Sequence, residues 1–503
     1  EGVERFLEAN TTQDSPLKLH KYTRIDTIIL DHDSKILEIH FNRNFANIPI
    51  REQVVTDIHS GIGESLGRKF NDYSVKIYAL DYPIEDLIPN YFRGSKRSYD
   101  RARMPAPEQR SLPLVRNVSH KWTPTSGLYN RNIALWHSHG WYYEQKLKRW
   151  EWQRARVFQT VEDLLPMAFT LKYLVPMLEN AGAQVFMPRE RDLQTNEVII
   201  DNDTPEVKPA YQEYDSKLEK WKTLEQPGFA IGTPPYVSGD NPFFMGTSRL
   251  IKADTSGSAK IRWIPSLPEA GKYAVYITYT ASDSNVTDAH YTVFHRGGQT
   301  EFLVNQQIGG STWIYLGTFD FNQDLNADIH RVELTNMSTE SGQFVSADAI
   351  RFGGGIGNIS REGQVSGRPR FTEAARYYLQ YAGMPDTLIY NLNADESDYR
   401  DDYQCRAEWV NYLRGAPYGP NLDRQVPGLK IPIDLSFAFH TDAGFTRNDT
   451  VIGTLSIYST EDAEETDFFP DSMSRMTNRD LADILQTQIV NDIRAKYDPS
   501  WTH

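Results

Sequence analysis

Cysteine is nearly absent: Cys405 stands alone in 503 residues. That excludes an intramolecular disulfide framework and a cysteine-built zinc knuckle, and it leaves the redox compartment open. No run approaches the length of about 18 apolar residues that a transmembrane helix needs. There is no excess of positive charge. At −14, the net charge argues against non-specific binding to nucleic acid. The opening residues, E-G-V-E-R-F-L, lack the basic and apolar regions of a secretory leader, so an exported form would be one whose signal has been removed. What is present, 12% aromatic and 24% charged residues, is the composition of a folded soluble protein. The length is ample for three domains of ordinary size.

The rest of the chain is organised around Ile133–Gly140, I-A-L-W-H-S-H-G. The apolar run Ile133–Trp136 has the length and flanks of a buried strand. It ends in His137, Ser138, His139 and Gly140, which places imidazoles at the edge of a sheet, where open α/β sheets hold their sites. An aromatic loop, Trp141–Trp152, follows. From about Ala155 to Asn180 apolar residues recur at helical spacing, interrupted by Pro166 and Pro176, and stop at Asn180–Ala181–Gly182. Glu162 lies near the apolar face at the start of this helix. A carboxylate there needs a cationic partner, either a metal ion or an arginine. A second short strand then ends in P-R-E-R-D (Pro188–Asp192), completing a β-α-β unit. Far downstream, Ile433–Phe439 reads as a strand ending in His440, Thr441, Asp442, Ala443 and Gly444. Histidine, glutamate and histidine form a plausible three-ligand set for a catalytic zinc ion with its fourth position open to water.

The order of these segments resembles the zinc-dependent N-acetylmuramoyl-L-alanine amidases of the amidase-3 type. The carriers are I-A-L-W-H-S-H-G, V-E-D-L, A-G-A-Q-V-F-M-P-R-E-R-D and F-A-F-H-T-D-A-G. The resemblance implies zinc ligands at His139, Glu162 and His440, and a substrate contact at Arg189. His137 is a candidate fourth ligand or substrate contact. The scissile bond would join the lactyl group of N-acetylmuramic acid to L-alanine in peptidoglycan. The chain departs from the family pattern in four places. W-H-S replaces the usual D-P-G, the loop between His139 and Glu162 is longer than expected and rich in Trp, Tyr and Arg, Asp442 replaces an asparagine, and no strand carrying the family's general-base glutamate follows His440. Asp442 is a weak stand-in for that base. The expectation is therefore a catalytic domain lacking its last strand, in a chain cut short. The rival expectation is a catalytically degenerate envelope scaffold or glycan-binding protein.

Between the two amidase-like pieces, from about Gly228 to Gly355, the pattern changes to short alternating strands separated by turns, which implies a β-sandwich. This block resembles the golvesin C-terminal-like domain, also called a xanthan-lyase carbohydrate-binding-like domain. The carriers are P-E-A-G-K-Y-A-V-Y, T-D-A-H-Y-T-V, W-I-Y-L-G-T-F and S-A-D-A-I-R-F. The resemblance implies a jelly-roll-like, glycan-binding module. Trp263, Tyr273, Tyr279, Tyr291 and Trp313 alternate along strands and are expected in the core, and Asp348 with Arg351 is expected to form a structural pair. A polysaccharide lyase is a third possibility, resting on that family name alone.

The expected fold class is multidomain α/β plus β. A small N-terminal α+β (ββαβ) domain spans residues 16–93, with His40 and His59 as surface or strand histidines. A basic linker follows at 94–116. An amidase-like α/β domain with an open mixed sheet runs from 117 to 203, leads through a linker at 204–227 to the sandwich at 228–355, and resumes at 356–503, where Phe371–Ala382 and Asp398–Leu413 read as helices and Thr387–Leu392 as a strand. The implied setting is the bacterial periplasm, the outer membrane or the cell exterior. The implied partner is peptidoglycan or another envelope glycan, within an envelope assembly.

Overall fold

Alternation of apolar and polar residues builds most of the sheets. The computed structural model describes residues 1–12, 15–105, 112–120, 127–154, 156–157, 159–203, 210–323, 328–340, 342–415, 425–441, 453–462 and 464–501. The chain forms two compact units, Glu1–Arg110 with Gly444–His503, and Ser111–Ala443.

In the first unit, Ile25–Asp31 pairs antiparallel with Ile36–Phe41, which pairs parallel with Ser74–Ala79; Tyr82–Pro83 completes the sheet. Leu37, Ile39 and Phe41 turn to one face and are buried against Val55, Ile58 and Ile62 of the helix Glu52–Leu66. Two strands, the helix and a third strand follow one another in that order along the chain. The helix Met476–Lys496 belongs to the same unit, so the expected segment 356–503 is divided at about residue 443. Asp483 accepts two bonds from Arg51 (2.7 and 2.8 Å), and Arg479 donates to the Leu87 carbonyl (2.7 Å). Nor is 94–116 a solvated linker throughout. Arg103 is buried beside Asp100 and Asp480, Arg93 donates to the carbonyls of Ile88 and Ser98, and Val115–Asn117 forms an edge strand in the second unit.

The second unit holds an antiparallel sandwich. One sheet has four strands, from Val198–Ile200, Ile350–Phe352, Gly271–Ile277 and Ile314–Phe321. The other has six, from Tyr211–Tyr214 through Lys260–Trp263, Arg331–Thr335, Ala289–His295 and Gly298–Val304 to Val115–Asn117. Tyr273, Val275 and Ile277 of the first meet Ile261, Trp263, Tyr291, Val293 and Leu334 of the second in one core. A three-stranded antiparallel sheet, Lys222–Gly228, Gly246–Lys252 and Phe344–Ala347, adjoins them.

Beside the sandwich lies a three-stranded sheet with Asn132–His137 between Gln184–Phe186 and Leu435–Phe439. Both pairings are parallel, so among the described residues this sheet is parallel rather than mixed. Ile133 and Leu135 face Val175, Val185 and Met187 on one side. Ala134 faces the other, in a core with Leu379, Trp409 and Leu413. The expected long helix is Leu164–Phe169, a π turn over Thr170–Leu174, and Val175–Asn180. The π turn adjoins Pro176, which has no N–H to continue an α-helical ladder. Thr387–Leu392, expected as a strand, lies instead across a π turn, Asp386–Tyr390. The helices Ala375–Tyr381 and Asp398–Arg414 cover the sheet where helical spacing placed them.

Candidate functional site at the edge of the parallel sheet

Asp434 fixes the register of the site strands. It accepts from the Asn132 amide (2.8 Å) and pairs with Arg131 (3.0 Å). Leu435 then lies opposite Ile133 and Phe439 opposite His137, and the Ser138 amide closes the ladder on the Phe439 carbonyl (3.1 Å). The chain thus delivers His139 and His440 just beyond the carboxyl ends of two neighbouring strands, where parallel sheets place their sites. Their ring centres lie 5.1 Å apart at 80°. Two imidazoles on one tetrahedral zinc ion, each with Zn–N of about 2.0–2.1 Å, would set their ring centres about 5.2 Å apart.

His139 has φ of +42°, in the left-handed region that side chains other than glycine rarely adopt. Such a residue costs on the order of 1–3 kcal/mol and persists only where its surroundings over-determine it. Here Arg189 does so. Its guanidinium donates to the carbonyls of Ser138 (3.0 Å), His139, Phe371 (3.3 Å) and Glu373 (2.8 Å). A Cβ on Gly140 would stand 2.8 Å from the Arg189 guanidinium and 2.7 Å from the Ala374 amide nitrogen, so only glycine fits beneath this clamp. Arg189 is 1% exposed, and its bonds go to backbone carbonyls of the histidine loop and of Phe371 and Glu373 instead of an open surface. His137 is fully buried as well. Neither of its ring nitrogens makes a hydrogen bond, and burial holds its pKa well below the usual histidine value. The residues expected to meet substrate, His137 and Arg189, therefore lie inside, beneath the loop.

Glu162 is 1% exposed and precedes the helix by two residues. Its carboxylate lies 3.7 Å from Arg154 Nε. Of the two cationic partners the sequence left open for this carboxylate, the arginine stands beside it. Among the described residues, no three His, Cys, Asp or Glu side chains stand closely enough to hold a metal ion. The structure thus brings His139 and His440 together at a spacing that two imidazoles on one zinc ion would have, and does not gather Glu162, the third expected ligand, with them. Asp442 lies outside the described residues.

Several contributors were hidden in sequence. The loop Trp141–Trp152 is a hairpin of Trp141–Glu144 with Arg149–Trp152, and it delivers Gln153 to His139. His139 Nδ1 lies 3.1 Å from Gln153 Oε1, and Gln153 Nε2 donates to Asp402 Oδ2 (2.7 Å). Asp402 is paired with Arg406 one helical turn on. Burial works to raise the Asp402 pKa, but Arg406, the Gln153 bond and Arg189 outweigh it and hold the carboxyl below its usual value. Burial above all, then Arg406 and Arg154, lower His139 to about 3, so its imidazole is neutral. Asp163, fully buried, accepts from the Arg154 amide (3.1 Å) and is raised by burial to about 6. Asp402 and Arg406 stand four residues apart on one helix, but nothing in their spacing points to Gln153 or His139, which only the tertiary fold brings to them.

The turn at 189–192 ties the site to the sandwich. Glu190 pairs with Arg351 (2.7 Å), both fully buried, and accepts from the Tyr276 hydroxyl. Arg191 stacks on Tyr315 at 3.8 Å, and Asp192 accepts from the Ala274 amide (2.7 Å). Arg351 thus serves Glu190, whereas Asp348, expected as its partner, caps the Phe229 amide (2.9 Å). In the sandwich, Trp263, Tyr273, Tyr279, Tyr291 and Trp313 are all buried, and none is a platform for a ligand. Among the described residues of the sandwich, the rings of Tyr214 and Phe244 are exposed, at 41% and 61%.

Residues 235–354 match the Golvesin C-terminal domain. A 96-residue stretch is 29% identical to a xanthan lyase of Bacillus sp. (strain GL1), covering 19% of this chain and 10% of the lyase. The chain therefore spans about a tenth of that relative. Among solved structures, Paenibacillus xanthan lyase is similar over 31% of this chain and 13% of its own, at 22% identity and a TM-score of 0.25. The C-terminal CBM6 of LamC, a marine laminarinase from Zobellia galactanivorans, is similar over 31% of this chain and 99% of its own, at 12% identity and a TM-score of 0.18. His137, His139, Glu162, Arg189 and His440 all lie outside the residues matched to the family. Among the described residues, no helix is long and apolar enough to cross a membrane.

Proposed function

We propose that this chain is a glycan-binding envelope hydrolase in which His139, Glu162 and His440 hold zinc and the sandwich engages a carbohydrate polymer. The observation that carries the reading is the juxtaposition of His139 and His440. They are three hundred residues apart in sequence (440 − 139 = 301), yet neighbouring strands bring their rings within 5.1 Å. The Golvesin match and the xanthan-lyase similarity support carbohydrate as the ligand of the sandwich. The proposed reaction is hydrolysis of the N-acetylmuramoyl-L-alanine amide of peptidoglycan. A bound zinc ion would supply Lewis acidity toward the amide carbonyl and a water of lowered pKa. The protein's own part is to hold the loop. Arg189 fixes the carbonyls of residues 138 and 139, and burial keeps His139 neutral so that it can donate a lone pair. Asp442 remains a candidate proton acceptor. The proposed setting is the bacterial envelope.

A second reading, a glycan-binding scaffold without catalysis, is favoured by Arg154, whose guanidinium already faces Glu162. Elemental analysis of the purified chain, with His139→Ala and His440→Ala, separates the two. About one zinc per chain, lost in both variants, is expected of the hydrolase. Release of stem peptide from peptidoglycan should fall with it. A wild-type chain without zinc, after purification free of chelator, would leave the scaffold reading.

A further inference from the structure

The hairpin Trp141–Trp152 and the helix Asp398–Arg414 meet at one short chain of polar groups behind His139. Its direction follows from chemistry. Asp402 is fully buried and paired with Arg406, which keeps it ionised, and an ionised carboxylate can only accept hydrogen bonds. The Gln153 side chain must therefore turn its NH₂ toward Asp402, as the 2.7 Å contact records. That leaves its carbonyl oxygen facing His139 Nδ1 at 3.1 Å. A carbonyl can only accept, so His139 must carry its proton on Nδ1. In a neutral imidazole the other nitrogen then bears the lone pair. His139 Nε2 is buried and makes no hydrogen bond within the protein. The arginine thus sets the carboxylate, the carboxylate sets the amide, and the amide sets the tautomer.

We infer that Gln153, Asp402 and Arg406 are positioning residues that lock His139 as its Nδ1–H tautomer and present the Nε2 lone pair as a donor for a divalent metal ion. The tautomer assignment stands on hydrogen-bond geometry alone; its use toward a metal rests on the reading above. Partners of this kind behind a ligating histidine are typically worth about 10–100-fold in metal affinity. Gln153→Met keeps the length and shape of the side chain while removing both hydrogen-bonding ends.

The test uses the full chain labelled with ¹⁵N-histidine, with His139→Gln to assign the resonances, and zinc titration in parallel. The wild type should show His139 protonated at Nδ1 at neutral pH. Gln153→Met, with an unchanged circular dichroism spectrum, should show a tautomer mixture and bind zinc about 10–100-fold more weakly. Asp402→Asn, which frees the glutamine amide to rotate, should also mix the tautomers. A wild-type His139 protonated at Nε2, or a Gln153→Met tautomer identical to wild type, overturns the inference. If the wild type binds no zinc yet its tautomer responds to Gln153→Met, the zinc reading fails while the positioning role stands.

Discussion

The sandwich and the helical layer over the parallel sheet are both buried, but they are held together by opposite means. The sandwich core is apolar and aromatic, with Trp263, Tyr273, Val275, Tyr291 and Leu334 almost wholly hidden. The helical layer buries charge. Arg376 is fully enclosed among Asp395 (3.1 Å), Asp398 (3.4 Å) and Asp401 (3.7 Å), and Arg361 reaches Asp395 and Asp398 at 2.7 Å. Tyr377 and Gln145 add hydrogen bonds to Asp398. An apolar core tolerates displacement because its forces are non-directional. A buried ionic network holds one geometry or fails, because each unsatisfied charge in a low-dielectric interior is costly. The candidate site is attached to the directional side, through Asp402 and Gln153.

The largest expected effects come from breaking each core in its own way. Arg376→Met should destabilise by about 3–5 kcal/mol, because it strands buried carboxylates. Trp263→Ala should cost about 3–5 kcal/mol, through lost burial and a cavity. Urea denaturation would not separate these two alone. The contrast appears when Asp398→Asn and Asp401→Asn are added to Arg376→Met, which should recover much of that loss. A triple variant no more stable than Arg376→Met would remove the distinction between the cores.

A smaller, pH-dependent effect is expected at Glu373. Burial above all holds its buried carboxyl up to about 7, against 4.5 for the unperturbed group. The folded protein therefore retains a proton that the unfolded chain releases, and this site loses stability as pH rises from about 4.5 to about 7. Glu373→Gln, neutral throughout, should gain on wild type across that window, by up to about 3 kcal/mol. Thermal unfolding at pH 4 and pH 8 measures it, and equal differences at both values would contradict the assignment.

The smallest effect concerns the outside of the sandwich. With the five alternating aromatics buried, the proposed carbohydrate contact would fall to exposed rings such as Tyr214, which has Arg262 5.4 Å from its ring centre. Tyr214→Ala should weaken retention on insoluble glycan severalfold while leaving the unfolding midpoint nearly unchanged, and affinity electrophoresis would show it. Unchanged retention would move the contact elsewhere on the sandwich.

Readability from sequence followed the range of the forces. Period-two alternation is local, so the block from about Gly228 to Gly355 does hold short alternating strands such as Ala289–His295 and Gly298–Val304. The Asn132–His137 strand, the P-R-E-R-D turn and the Leu435–Phe439 strand were visible for the same reason. The burial of His137, the inward turn of Arg189 and the Glu190–Arg351 pair were not, since each depends on partners more than a hundred residues distant or on a loop closing overhead. Thr387–Leu392 misled because a short apolar run fits a buried helical turn as well as a strand. The edge strand Val115–Asn117 was masked by the arginines and prolines around it.

The turn at Arg189–Asp192 has one further consequence. Its four side chains serve fixed addresses in succession: the histidine loop, the Arg351 pocket, the Tyr315 ring and the Ala274 amide. A single residue added or removed there would shift every one of them to the wrong address. Such a turn accepts changes of letter more readily than changes of length.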